Sequence, residues 1–404
     1  MIARFAFTAA GHAMGTRAAL EPWLRRLLRV GLVWLFIGMA VLPAGVSYNP
    51  GHLYQYVLGL TLYLPALLML ALRPGSFAPL WCPTSMKWVL VLLLWGVLSL
   101  AWSTTIHPSS ELGHSASILL FLYGWRQAIE GREERIRKLL ICAGAVMALT
   151  ALAAMLLCLV HGWGDGRIVG FGVMANANLA AAAMAVAVLW VCTWPAETLL
   201  YRIVQALIVA VLLLFVFLTF TRSAWGGLSA ALLVLVLCQH RRRAHWQMAA
   251  LLALGGAIAM IELPNLLHRG LSLRPQIMRL SWQLFQQHPW LGMGQGAAFH
   301  IVVGDMMLTH AHNLFSQLAI ELGAPGLLMG LAAWILLGWQ GWRHRREALG
   351  RLVLATWVLA TVMVQFDLPH LIDSPRPTWL ITWLPMALSL SLHRKESPQG
   401  TDSR

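Results

Sequence analysis

The chain has 404 residues, of which 59% are hydrophobic and only 11% charged, with a formal net charge of +14. Soluble domains carry roughly 25% charged residues, and a single soluble core stops growing near ~250–300 residues. The composition excludes an ordinary cytosolic enzyme, a disordered chain and a secreted disulfide scaffold, and leaves the positive charge to be explained by nucleic acid or by a membrane.

A membrane-crossing helix needs ~20 mostly apolar residues. In chain order such windows fall at 27–46, 53–72, 88–104, 112–127, 139–160, 169–192, 199–219, 224–239, 246–263, 325–342, 352–366 and 377–393. His114 and Ser115 lie in the fourth window, and Asn176 and Asn178 interrupt the sixth. No small-residue cleavage site follows the first stretch, so a span is expected there and not a removable signal peptide. The expectation is an all-α polytopic membrane protein with about 12 transmembrane helices. It would form a single integral membrane domain over 1–404, with both termini on one side.

Cytoplasmic loops carry the excess of Lys and Arg. With the N-terminus inside, 23 of the 29 basic residues lie on cytoplasmic segments, together with eight acids. The outer face keeps Arg167, Arg222, Arg269, Arg274, Arg279 and Arg376, against seven acids. The two sides therefore sum to +15 and −1, and the whole excess reports orientation in an inner membrane, with both termini cytoplasmic. No nucleic-acid partner is expected. The five cysteines (Cys82, Cys142, Cys158, Cys192 and Cys238) are scattered, which indicates neither a disulfide framework nor a Cys-based zinc site.

Most connections are short, but about 60 residues, 264–324, separate spans nine and ten on the outer face. Long loops on a compact scaffold are disproportionately functional. Within it, Gln276–Gln287 places Ile277, Met278, Leu280, Trp282, Leu284 and Phe285 on a broad face, which predicts an amphipathic helix lying along the membrane surface. Pro289 ends it, and Gly292, Gly294 and Gly296 follow. No strand precedes them, so they read as a tight turn that lets backbones approach closely, not as a dinucleotide fingerprint. The loop also holds His268, His288, His300, His310 and His312. His310-Ala-His312 has no third ligand at a recognisable spacing, so no metal is expected.

His312 is expected at or near the N-cap of a short helix over 313–322, broken by Gly323, after which Pro325-Gly326 opens the tenth span. A helix start presents outward-pointing N–H groups. They attract anions and favour the uncharged imidazole that a base requires. Arg222, in Thr221-Arg222-Ser223, places a guanidinium and two hydroxyls at another helix start. Snorkelling to lipid headgroups is the plain alternative. An outer face with six arginines and no lysine nevertheless suits bidentate phosphate recognition. Arg376, between Pro375 and Pro377, is expected to anchor the last span at the interface.

These residues carry a resemblance. His312-Asn313, nine residues, then Gly323-x-x-Gly326 is similar to the signature of the O-antigen ligase and O-antigen polymerase superfamily, with Leu327 where the family commonly has Gly, Thr or Tyr. Arg167-Ile-Val-Gly170-Phe171 with Asn176-Ala177-Asn178 resembles a second family block, Ala177 replacing the usual Pro. Thr221-Arg222-Ser223 resembles a third, and Arg279-x-x-Trp282 with His288-Pro289-Trp-Leu-Gly292-Met-Gly294 a fourth.

The resemblance implies a helical membrane glycosyltransferase that needs no metal or other cofactor. It would transfer O-antigen from undecaprenyl diphosphate to the lipid A–core oligosaccharide on the periplasmic face. It implies His312 as the base and Arg222 as a catalytic and diphosphate-binding group. Arg279, Arg274, Arg167 and Arg269, with Asn313 and Asn178, would bind the donor. O-antigen polymerase and protein O-oligosaccharyltransferase use the same chemistry and remain alternatives. A transporter or flippase would show internal repeats and ionisable groups near the midplane; no repeat is evident and the polar constellation lies at the outer face.

Overall fold

The structure, a computed structural model, describes residues 2–42, 51–162, 166–239, 273–366 and 370–396, without the side chains of 2–19 and 393–396. The ninth apolar window at 246–263, together with His268 and Arg269, lies outside the described residues. The other windows fall largely on helix: α1 (Ile2–Val41), α2 (His52–Leu72), α3 (Thr84–Ser99), α4 (Pro108–Ile129), α5 (Glu133–His161), α6 (Ala177–Thr193), α7 (Leu199–Leu218) and α8 (Arg222–Leu237). After these come α9 (Arg274–Gln287), strands β1 (Ile301–Val303) and β2 (Met306–Leu308), then α10 (Leu314–Arg343), α11 (Ala348–Met363) and α12 (Trp383–Glu396).

Helix is the form that satisfies every backbone N–H and C=O within one segment, which a hydrocarbon surround demands. Among the described residues, α2, α5, α7 and α10 are long and apolar enough to cross a membrane, and a fifth span results if α3 and the bent segment Pro74–Trp81 are taken together. α6, α8, α11 and Pro377–Leu392 are apolar but shorter. The 17 residues of α6 rise about 25 Å, just under the ~30 Å of a hydrocarbon core. The chain is a polytopic helical membrane protein.

Two helices illustrate how the bundle is built. α1 turns Leu24, Leu28, Leu32, Leu35, Phe36 and Met39 inward, at helical spacing, while Trp23, Leu27, Val30 and Val33 point outward. Both faces are apolar, so one packs against protein and the other suits lipid. α6 is instead buried on every side from Ala180 to Val191. Its alanines allow neighbouring helices to approach closely, and it touches α5, α7, α8 and α11.

A smaller apolar cluster caps one end of the bundle, joining Ile277 of α9, Phe299, Ile301, Val303 and Ala311 to Ile320 of α10. The cap corrects the all-α expectation, because the loop holds a strand pair as well as a helix. β1 and β2 pair antiparallel with Val303 opposite Met306, so Gly304 and Asp305 form a two-residue turn, Gly304 at φ 59°. Such a turn matches strand twist only with positive φ, and Ile-Val-Val alternates buried, exposed, buried as a half-covered strand does. The glycines before the hairpin behave as the close-approach reading expects. A Cβ on Gly292 would collide with the backbone of Glu321, and one on Gly323 with the backbone of Trp290. Gly323, at φ 67° and ψ −171°, breaks α10 where the sequence places the break.

At the opposite end of the bundle, glutamates and arginines tie α1, α4 and α5 together. Glu21 pairs with Arg25 at 2.6 Å and Arg73 at 2.7 Å, and Glu130 with Arg135 at 2.5 Å and with Arg25.

Candidate active site

The start of α10 is built around Asn313. Its extended backbone lets the side-chain carbonyl accept from the N–H of Phe315 and Ser316, both at 3.0 Å, satisfying two orphan donors. Its amide donates to Gln365 Oε1 at 2.9 Å, and the N–H of Leu314 donates to Val364 O at 2.9 Å. The helix start is thereby fastened to the end of α11. His312 immediately precedes it at φ 51°, the left-handed region that a side-chain-bearing residue seldom adopts. Its ring lies 4.0 Å from that of His310. Among the described residues no group of three or more metal-ligating side chains is assembled there.

Behind His312 lies a polar chain that the sequence reading did not select. The N–H of Ala311 donates to Gln317 Oε1 at 2.9 Å, and Gln317 Nε2 donates to Glu321 Oε1 at 2.9 Å. Glu321, the one acid of α10 and buried there, pairs with His370 Nδ1 at 2.9 Å. Burial opposes a charged imidazole at His370, but the Glu321 carboxylate outweighs it and the ring is pushed up to about 9. Beside it, Arg376 pairs with Asp373 at 2.7 Å. Arg376 is buried, which corrects its reading as an interfacial anchor. Its partner three residues back, invisible to a count of loop charges, compensates it inside the protein.

Glu111, at the first turn of α4, joins the same end. It accepts from Gln295 Nε2 at 3.1 Å and lies 3.4 Å from His114 Nδ1. Burial raises its carboxyl, yet the His114 and Gln295 hydrogen bonds prevail and hold it below the usual carboxylate range.

The arginines divide into two groups. On α9, Arg274 lies over the Phe366 ring with its Cζ 5.0 Å from the centroid, one residue past the Gln365 that holds Asn313. Arg279 is exposed beside an apolar cavity of about 460 Å³ between α9 and α10, lined by Met278, Trp282 and Phe285 and by Phe315, Ala319 and Leu327. α9 thus brings Arg274 and Arg279 to the start of α10.

The second group surrounds the start of α8. Arg167 donates through Nε to Thr219 O at 2.7 Å and through Nη2 to Asn178 Oδ1 at 2.7 Å and Thr221 Oγ1 at 3.0 Å. Arg222, the first residue of α8, is half-buried and makes no hydrogen bond or ion pair with the described residues. Its level in the bundle follows from packing. Cys238, just past the far end of α8, is within electrostatic reach of Arg345 in the α10–α11 turn and Arg351 in the first turn of α11, so α8 and α11 run antiparallel. Gly227 faces Leu359 of α11. Arg222 precedes Gly227 by five residues, as Val364 follows Leu359, so each lies about 7.5 Å further toward the same end. Arg222 is therefore level with Val364, to which Leu314 is bonded.

Fold and site together define a polytopic membrane protein with arginines, histidines and an apolar groove gathered at one end. The family model described as O-antigen ligase matches residues 207–331. An O-antigen ligase of Pseudomonas aeruginosa is 29% identical over 384 residues, 93% of this chain and 92% of that protein. Over 207–331 the chain is similar to the O-antigen ligase family, and over nearly its whole length it is similar to an O-antigen ligase. The matched segment holds Arg222, Arg274, Arg279, His312 and Asn313, and leaves Arg167 and Asn178 outside it.

Proposed function

We propose that this enzyme transfers O-antigen polysaccharide from undecaprenyl diphosphate to a hydroxyl of the lipid A–core oligosaccharide. The reaction takes place at the periplasmic face of the bacterial inner membrane. The chain forms one integral domain of twelve spans with both termini cytoplasmic, and 264–324 is its periplasmic loop carrying the catalytic region. One observation carries the reading: an apolar groove flanked by Arg279 opens beside the helix start that presents His312. A lipid-linked diphosphate offers the matching pair of chemistries, an apolar tail and a dense anion.

His312 accepts the proton of the acceptor hydroxyl as that oxygen attacks the anomeric carbon from the face opposite the diphosphate. The bond from that carbon to the diphosphate oxygen breaks, undecaprenyl diphosphate departs with the electron pair, and the configuration inverts. Arg222, Arg279 and Arg274 stabilise the charge on the leaving group, as guanidinium forks do for phosphate oxygens. Arg269 is read as a further donor contact on sequence grounds. Arg167 and Asn178 serve the donor by bracing Thr221, which begins the helix that carries Arg222. Asn313 holds the helix start that presents His312. No divalent cation takes part.

General-base assistance contributes about 10²–10⁴-fold. His312→Ala is expected to nearly abolish transfer while the protein reaches the membrane at its normal level, and the assay is expected to proceed in a strong chelator. Full activity in that variant would remove the base assignment. A deletion strain is expected to make lipid A–core without attached O-chain and to accumulate lipid-linked polymer. Core bearing a single repeat would identify a polymerase instead.

A further inference from the structure

The left-handed backbone at His312, φ 51°, has to be held from both sides, because a side-chain-bearing residue there relaxes to an ordinary conformation when released. Asn313 holds it on one side, through the cap and through Gln365. On the other side, the N–H of Ala311 is taken by the Gln317 side-chain carbonyl at 2.9 Å.

A glutamine amide serves in that position only in one orientation. Its carbonyl faces the Ala311 N–H, and its amino group faces Glu321 Oε1 at 2.9 Å. A flipped amide would set amino group against N–H and carbonyl against carboxylate, two repulsive contacts in a buried place. Glu321 therefore selects the orientation. A buried carboxylate needs a compensating cation, and His370 supplies it at 2.9 Å. Glu321 is also pinned by its own backbone, whose carbonyl accepts from the N–H of Gly294 at 2.8 Å. The glycine segment and the loop after α11 thus bear on a single residue, one through its backbone and the other through its carboxylate.

We infer that Gln317, Glu321 and His370 form a positioning relay that sets the backbone at Ala311-His312 and aims the His312 imidazole at the acceptor hydroxyl. The relay rests on the reading of His312 as the base. None of its members touches substrate in this role. Its effect belongs in turnover and not in donor binding, since misplacing a reacting group by about 1 Å lowers rate about 10²-fold.

The test measures kcat and donor KM in membranes or detergent with lipid-linked donor and core acceptor. Gln317→Leu is expected to lower kcat about 10- to 100-fold, with donor KM within about twofold of wild type. Gln317→Glu alone, which sets two carboxylates against each other, is expected to be at least as impaired. Adding Glu321→Gln to it returns one carboxylate and one amide to the same contact and is expected to restore kcat to within a few-fold. His370→Asn, which keeps a donor near the Nδ1 position, is expected to retain more activity than His370→Ala. The Gln317→Glu and Glu321→Gln pair decides the case if Gln317→Leu fails to accumulate. Independent, additive losses in that pair, or normal kcat in Gln317→Leu, would overturn the relay. His312→Ala is assayed alongside. Transfer surviving in it removes the parent reading, whereas an inactive His312→Ala beside a normal Gln317→Leu removes the relay alone.

Discussion

The two polar ends of this bundle treat arginine in opposite ways. At one end, Glu21 and Glu130 hold Arg25, Arg73 and Arg135 in ion pairs that bind α1 to the α4–α5 turn and to the residue just past α2. At the other, Arg222 is half-buried and Arg279 exposed, and neither has a hydrogen-bond or ion-pair partner among the described residues. Arg376, at that same end, is buried against Asp373. A guanidinium removed from bulk water without a counter-charge is unfavourable unless an anion arrives to meet it. Net charge therefore says little about function here. What sets Arg222 and Arg279 apart is that neither has a carboxylate among the described residues, whereas Arg25, Arg73 and Arg135 at the far end, and Arg376 beside the site, each have one.

The largest effect expected from this contrast follows from Arg222→Lys. The ammonium keeps the charge but loses the planar fork, and electrostatic donors aimed at developing charge are worth about 10²–10³-fold in kcat. Arg73→Lys at the other end is the control, since 62% of the Arg73 side chain is exposed and transfer should be unchanged. Kinetics of the two purified variants with the same lipid-linked donor make the comparison. Equal, near-normal rates would mean that Arg222 merely reaches toward headgroups.

Much of the architecture is legible in the sequence because it is local. Apolar windows become helices and Gly323 breaks α10, and the cap expected at or near His312 falls one residue on, at Asn313, each decided within a few neighbouring residues. The hairpin had a local signal too, Ile301-Val302-Val303 followed by Gly304-Asp305. A strand of three residues is too short for alternation to stand out in an apolar chain. What sequence reading missed is what distance in the chain conceals. His370 meets Glu321 across 49 positions, and Gln295 meets Glu111 across 184. Arg167 reaches Thr221 across 54, so a residue that reads as a free cation on a loop is a brace. An acid inside an apolar helix, such as Glu321, was the available clue, because burying such a group without a partner is costly.

A smaller effect comes from breaking the paired end. Glu130→Gln leaves Arg135 without its carboxylate and Arg25 with Glu21 alone. These side chains are about a quarter exposed, 26% and 27%, so solvent weakens each pair toward about 1 kcal/mol. The variant should melt a few degrees lower in detergent while kcat stays at the wild-type value. A loss of kcat with unchanged melting would mean that the two ends are coupled, and the division of labour drawn here would fail.

The smallest expected effect is a pH dependence at the site end. The imidazole of His370 is raised to about 9 from an ordinary value near 6.5 by Glu321, with help from Asp373 and against Arg376. A group whose pKa is raised by folding stabilises the fold fully below its unfolded value. That contribution fades as pH climbs through the folded value, because the unfolded chain no longer binds the proton that the native pair retains. The relevant window therefore runs from about pH 6.5 to about pH 9. Glu111 titrates well below this window, since its carboxyl is held under the usual carboxylate range. Melting temperatures measured across pH 6–10 should decline for the wild type through the upper part of that window. In His370→Asn, which keeps a hydrogen bond to Glu321 without a titrating charge, the curve should be flatter over the same range. Parallel curves would show that the pair adds no charge-dependent stability, and that Glu321 orients Gln317 without needing a cation beside it.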